Sequence, residues 1–70
     1  MDIIIGGIYQ HYKGGIYRVI GVANHSETLE KLVIYKSLEN DSLWARPLVM
    51  WNEEVVKDGK KYLRFTYINC

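Results

Sequence analysis

Turn-forming residues cut this sequence into short β-branched and aromatic runs, each too brief to stand as an independent helix. Gly14-Gly15, Asn24 to Thr28, Asn40-Asp41 and Asp58-Gly59 fall at intervals between Ile, Val, Tyr and Trp clusters. That punctuation constrains the fold to several short strands joined by tight connections.

Gly7 to Tyr12 is β-branched and aromatic and stops at Lys13-Gly14-Gly15. Ile16 to Ala23 is the strongest strand candidate, with Ile16, Ile20 and Val22 on one face and Tyr17, Val19 and Ala23 on the other. Apolar residues on both faces predict substantial burial, and Gly21 predicts a bulge or bend. Asn24 to Thr28 is a polar connection, with one helical turn over Ser26 to Lys31 as an alternative. Leu32 to Tyr35 and Leu43 to Arg46 return to strand composition, and Pro47 predicts a strand end or a sheet edge because it lacks a ladder donor. Leu48 to Val55 reads as a short 3₁₀ or α turn. Asp58-Gly59 predicts a type I′ hairpin joining Val55 to Lys57 with Lys61 to Phe65, and the chain is expected to fray from Thr66 to Cys70. Since closure removes sheet edges, the reading is a mostly β, small five-stranded SH3-like barrel, a single domain over residues 1–70.

Composition bounds the rest. Of 70 residues, 49% are hydrophobic and 13% aromatic, enough to build a core without disulfides. Nine Lys and Arg against eight Asp and Glu give a charge of +1, which provides little long-range pull on nucleic acid or anionic lipid. Cys70 is the lone cysteine, so no internal disulfide or cysteine-rich metal knuckle is expected. The amino end has neither the basic start nor the apolar length of a signal peptide or membrane span. The expected setting is cytoplasmic and the expected state monomeric, with no cofactor and no membrane partner.

The motifs His11-Tyr12-Lys13-Gly14, Tyr17-x-Val19-x-Gly21-x-Ala23, His25-Ser26-Glu27-Thr28 with Glu30, Val33 and Tyr35, Trp44, Arg46-Pro47, Met50, Asp58-Gly59 and Arg64-Phe65 together resemble a small bacterial family. That family is catalogued as domain of unknown function number sixteen fifty-three. The resemblance runs from about Gly7 to Phe65, with Trp51 where the family often has Phe and Leu63 where it often has Pro. It implies a compact β domain, found alone or attached to enzymes, and brings no activity with it.

Several residues carry candidate chemistry. His25, Ser26, Glu27 and Thr28 place a base, a hydroxyl and a carboxylate in one loop. Neighbours in sequence rarely form a working relay, and the alternative is a polar turn with Ser26 or Thr28 capping backbone amides. His11 and His25 match no zinc spacing, and no metal site is expected. Arg46 and Arg64 lie on separate strands that a barrel would bring together, where guanidinium forks suit a carboxylate or phosphate; the alternative is an internal acid such as Glu27 or Glu30. Among Tyr12, Tyr35, Trp44 and Trp51, Trp44 is the expected groove residue, since it shares a strand face with Arg46. Lys57, Lys60 and Lys61 read as a solvated hairpin tip and a weak nucleic-acid signal. The leading expectation is a binding module for a small polar ligand, a peptide or an oligonucleotide, using His11, His25, Ser26, Glu27, Trp44, Arg46 and Arg64. The alternatives are a small hydrolase or lyase with His25 as general base, Glu27 orienting it and Arg46 stabilising an anion, and a domain that docks onto a partner protein through an exposed edge strand.

Overall fold

The structure is a computed structural model and describes residues 3–69. It contains seven strands and one short helix: β1 (Ile8–His11), β2 (Ile16–Asn24), β3 (Lys31–Ser37), β4 (Leu43–Pro47), α1 (Leu48–Trp51), β5 (Glu54–Lys57), β6 (Lys60–Leu63) and β7 (Phe65–Asn69). Five strands form an antiparallel sheet in the order β4-β3-β2-β1-β7, and β5 and β6 form a separate hairpin. The chain is therefore mostly β, with two antiparallel sheets.

The local reasons follow from the residues. Gly14 holds a φ of 109°, open to glycine alone at little cost, and lets its N–H return to the His11 carbonyl at 2.7 Å to close the β1–β2 turn. Along β2, Val19 faces Tyr35 and Gly21 faces Ile34, so Ile20 is the extra residue of a β-bulge. The bulge expected at Gly21 is there. Asp58 and Gly59 sit at φ 54° and 75°, the two left-handed positions of a type I′ turn, between the opposed Lys57 and Lys60.

Three expectations change. The strand count is seven rather than five. Arg64 is a bend that ends the hairpin, so Phe65 belongs to β7, and the segment expected to fray pairs with β1 from His11↔Phe65 to Ile8↔Asn69. Cys70 lies outside the described residues. The substantial burial expected of both faces of β2 is not found on one of them: Val19 is fully buried while Ile20 and Val22 remain exposed, because the outer face of the sheet has no second layer over it.

The core is small and aromatic: Tyr9, Val19, Val33, Tyr35, Trp51 and Phe65. Trp51, at the end of α1, stacks flat on Phe65 at 3.9 Å and meets Tyr9 and Tyr35 edge-on. The helix thus plugs the hollow of the sheet with one indole. The sheet curls around that plug until its two edge strands approach, since the Arg46 guanidinium of β4 reaches to 5.7 Å from the centroid of the Phe65 ring of β7. No helix is long and apolar enough to cross a membrane among the described residues.

Candidate functional site: a cationic cluster over Phe65

The contact between the sheet edges gathers two guanidinium groups, Arg46 and Arg64, beside His11 at the end of β1. His11 is the last residue of β1, with its ring 5.0 Å from Phe65 and 4.7 Å from Tyr12. Its Nδ1 accepts the Lys13 N–H at 3.1 Å, which leaves the proton of the neutral ring on Nε2. Burial holds the His11 pKa below the usual histidine value, and the positive charges of Arg46, Arg64 and Lys13 lower it further. His11 is therefore neutral at pH 7 and surrounded by cations.

Arg64 is fixed through its backbone. Its N–H donates to the Glu53 carbonyl at 2.9 Å, and its carbonyl accepts the Tyr12 N–H at 3.0 Å. Its Nη2 approaches Glu53 Oε1 at 3.5 Å, a long and half-exposed ion pair worth little by itself. Arg46 is the penultimate residue of β4, opposite Val33, and points inward with Val33 and Tyr35.

The hydrogen-bond inventory is unbalanced at this place. The Nε–H groups of Arg46 and Arg64 and the Nε1–H of Trp51 are buried without a hydrogen-bond partner. An unsatisfied buried donor costs about 1–3 kcal/mol, more where it belongs to a charged group. Two of them belong to side chains against Phe65, Trp51 stacked on it and Arg46 beside it, and the third to Arg64, which precedes it in the chain. Donors outnumber acceptors, which is the chemistry of an oxyanion site.

On the outer side of the same strand end lies an open cleft of about 290 Å³ bounded by Gln10, His11, Tyr12, Gly14, Tyr62, Leu63 and Thr66. His11 belongs to both places.

Of the residues read from the sequence, His11, Arg46 and Arg64 are brought together. The His25 to Thr28 segment is the self-capped tip of the β2–β3 hairpin. There the His25 Nδ1 accepts the N–H groups of Glu27 at 3.1 Å and Thr28 at 3.3 Å, and Thr28 Oγ1 accepts the Glu30 N–H. The capping is performed by His25 and Thr28, and one α-type bond, from the Leu29 N–H to the His25 carbonyl at 2.8 Å, closes a single turn over His25 to Leu29 that goes no further toward Lys31. Ser26 and Glu27 are exposed. Trp44 shares the Arg46 face as expected, yet it is 53% exposed at the sheet edge and its Nε1 donates to Ser42 Oγ at 2.8 Å. Tyr35 and Trp51 are core. Sequence reasoning did not place Phe65, Trp51, Gln10, Tyr62 and Thr66 in a site. For Phe65 the signal was present in its position beside Arg64, while nothing local marks the others. No group of three His, Cys, Asp or Glu residues is placed to hold a metal ion among the described residues.

Residues 7–67 match the model of a family described as a protein of unknown function, DUF1653. The chain belongs to that family. A solved structure of a DUF1653 protein from Bordetella bronchiseptica is similar at 35% identity and a TM-score of 0.86, covering 97% of this chain and 90% of that one. The family expected from the motif residues is thus the family found. Curated proteins give no match.

Proposed function

We propose that this DUF1653 protein is a non-catalytic binding module for a small anionic ligand, a carboxylate or phosphoryl group held by Arg46 and Arg64 beside His11. In this reading the curled sheet is an SH3-like barrel left open between β4 and β7, and the opening is where the ligand enters. The setting assigned to it is the bacterial cytoplasm.

One observation carries the reading: Arg46 of β4 and Arg64 at the bend before β7 present buried, unpartnered Nε–H groups next to a histidine whose protonation both disfavour. A cluster of like charges is costly unless an anion enters it, and a bound oxyanion would satisfy both guanidinium groups by charge-assisted bonds. The neutral His11 adds an Nε2–H donor without adding repulsion. The hydrolase alternative built on His25 has no comparable convergence in its favour, since the Nδ1 of that ring is already an acceptor for two backbone amides.

The test is a titration of isotope-labelled protein with sodium acetate, sulfate and phosphate at constant ionic strength. Saturable shifts are expected at His11, Arg46, Arg64 and Phe65, and Arg46→Ala or Arg64→Ala should weaken binding about 10-fold or more, the range for a lost charged hydrogen bond. If folded Arg46→Ala/Arg64→Ala protein binds these anions as the wild type does, the proposal is wrong.

A further inference from the structure

The cleft on the outer face has a composition different from that of the arginine site it adjoins. Its walls offer flat rings, with Tyr62 partly exposed and Tyr12 tilted by 34° against His11. Its floor is the opposed pair Gln10 and Thr66. A carboxamide presents one donor and one acceptor group and a hydroxyl presents both, the mixture found along the edge of a nucleobase. Leu63 contributes an apolar side.

Cations rim the cleft. The Lys13 ammonium lies 5.8 Å from the centroid of the Tyr12 ring. On the hairpin, Lys57 stands directly opposite Lys60, and both share a strand face with Tyr62, two residues beyond Lys60. Like charges placed opposite each other on a hairpin destabilise it, and an incoming polyanion relieves them. A volume of about 290 Å³ is at the lower end for small-molecule sites, suited to one ring system with its sugar.

We propose that the cleft receives the base of a nucleotide unit whose phosphate occupies the arginine site, the two parts meeting around His11. This rests on the anion-site reading and names its ligand class. His11 is the residue common to both: its ring lies against Phe65 on the arginine side, and the residue also lines the cleft. Aromatic rings that stack bases, with guanidinium groups on the phosphate, form a sequence-tolerant combination. The nucleotide unit can be free or the end of a single strand, and Lys57 and Lys60 distinguish these sources because Lys60, opposite Lys57, stands four residues of extended chain before Arg64, about 13 Å away.

The experiment compares the affinities of inorganic phosphate, adenosine 5′-monophosphate and a short oligoadenylate by amide-shift titration, on the wild type and on Tyr62→Ala. The monophosphate should bind about 10-fold more tightly than phosphate, the scale of one base stacked on an aromatic side chain. Gln10, Tyr62 and Thr66 should shift with it, and in Tyr62→Ala the advantage over phosphate should vanish. A further gain with the oligoadenylate that Lys57→Ala/Lys60→Ala removes identifies a single strand as the source; equal affinity identifies the free nucleotide. If phosphate binds but the monophosphate binds no tighter and leaves the cleft residues unshifted, the nucleotide assignment falls while the anion site stands. If neither binds, both fall.

Discussion

Glu53 is the side chain that competes with an external anion, because its Oε1 lies 3.5 Å from Arg64 Nη2. Glu53→Gln keeps the shape and removes the charge, and is expected to strengthen sulfate binding by up to about 5-fold, the scale of an exposed ion pair. A sulfate titration of the variant measures this, and weaker binding would mean that Glu53 organises the site rather than competing for it. Trp51 acts at the same scale but on stability: fully buried and stacked on Phe65, its replacement by alanine should cost about 3–5 kcal/mol. In a domain this small that is a large share of the total, and chemical denaturation should show Trp51→Ala largely unfolded. Arg46 was legible in the sequence as a strand-borne guanidinium, whereas Arg64, expected on a strand too, stands at the bend between β6 and β7. His25 to Thr28 looked chemical because three reactive residue types stand in a row, but adjacency in the chain favours turn capping, and the residues that do converge are separated by whole strands.

At the scale of elements, the β5–β6 hairpin depends on its turn. Gly59 at φ 75° has open space around a would-be Cβ, so Gly59→Ala meets no neighbour and its cost is conformational, about 1–2 kcal/mol. The expected drop in melting temperature is roughly 4–8 °C per kcal/mol for a domain of this size, readable by calorimetry. An unchanged midpoint would show that the hairpin contributes little to global stability. This turn, the Gly21 bulge and the Pro47 strand end were all legible, because each is a local backbone requirement written in one or two residues. The final strand was not. Tyr67 and Ile68 are half-exposed, and what orders them is pairing with β1 at the far end of the chain, a long-range partner that no local pattern announces.

For the whole molecule, the sheet order β4-β3-β2-β1-β7 puts β4 and β7 at its edges, and the curl that brings their side chains together makes the cationic cluster. Strand composition revealed a mostly β chain with one short helical turn. It could not reveal how the curled sheet meets itself, since that depends on Trp51 entering the hollow and on the extra strand β7. The same assembly makes stability respond to pH. His11 has a folded pKa below its unfolded value, so the unfolded chain binds its proton more readily. Stability is therefore full above the unfolded value near 6.5 and declines as pH falls through and below it. Denaturant midpoints between pH 7.5 and 5 should fall more for the wild type than for His11→Gln, and parallel curves would mean His11 does not contribute. An anion bound at the arginines reverses the effect, because its negative charge favours the imidazolium. The most direct measurement is the pH titration of the His11 ring protons by NMR, with sodium sulfate and with sodium chloride at equal ionic strength. The anion-site account predicts a His11 pKa that rises with sulfate and saturates; a pKa identical in the two salts would contradict it.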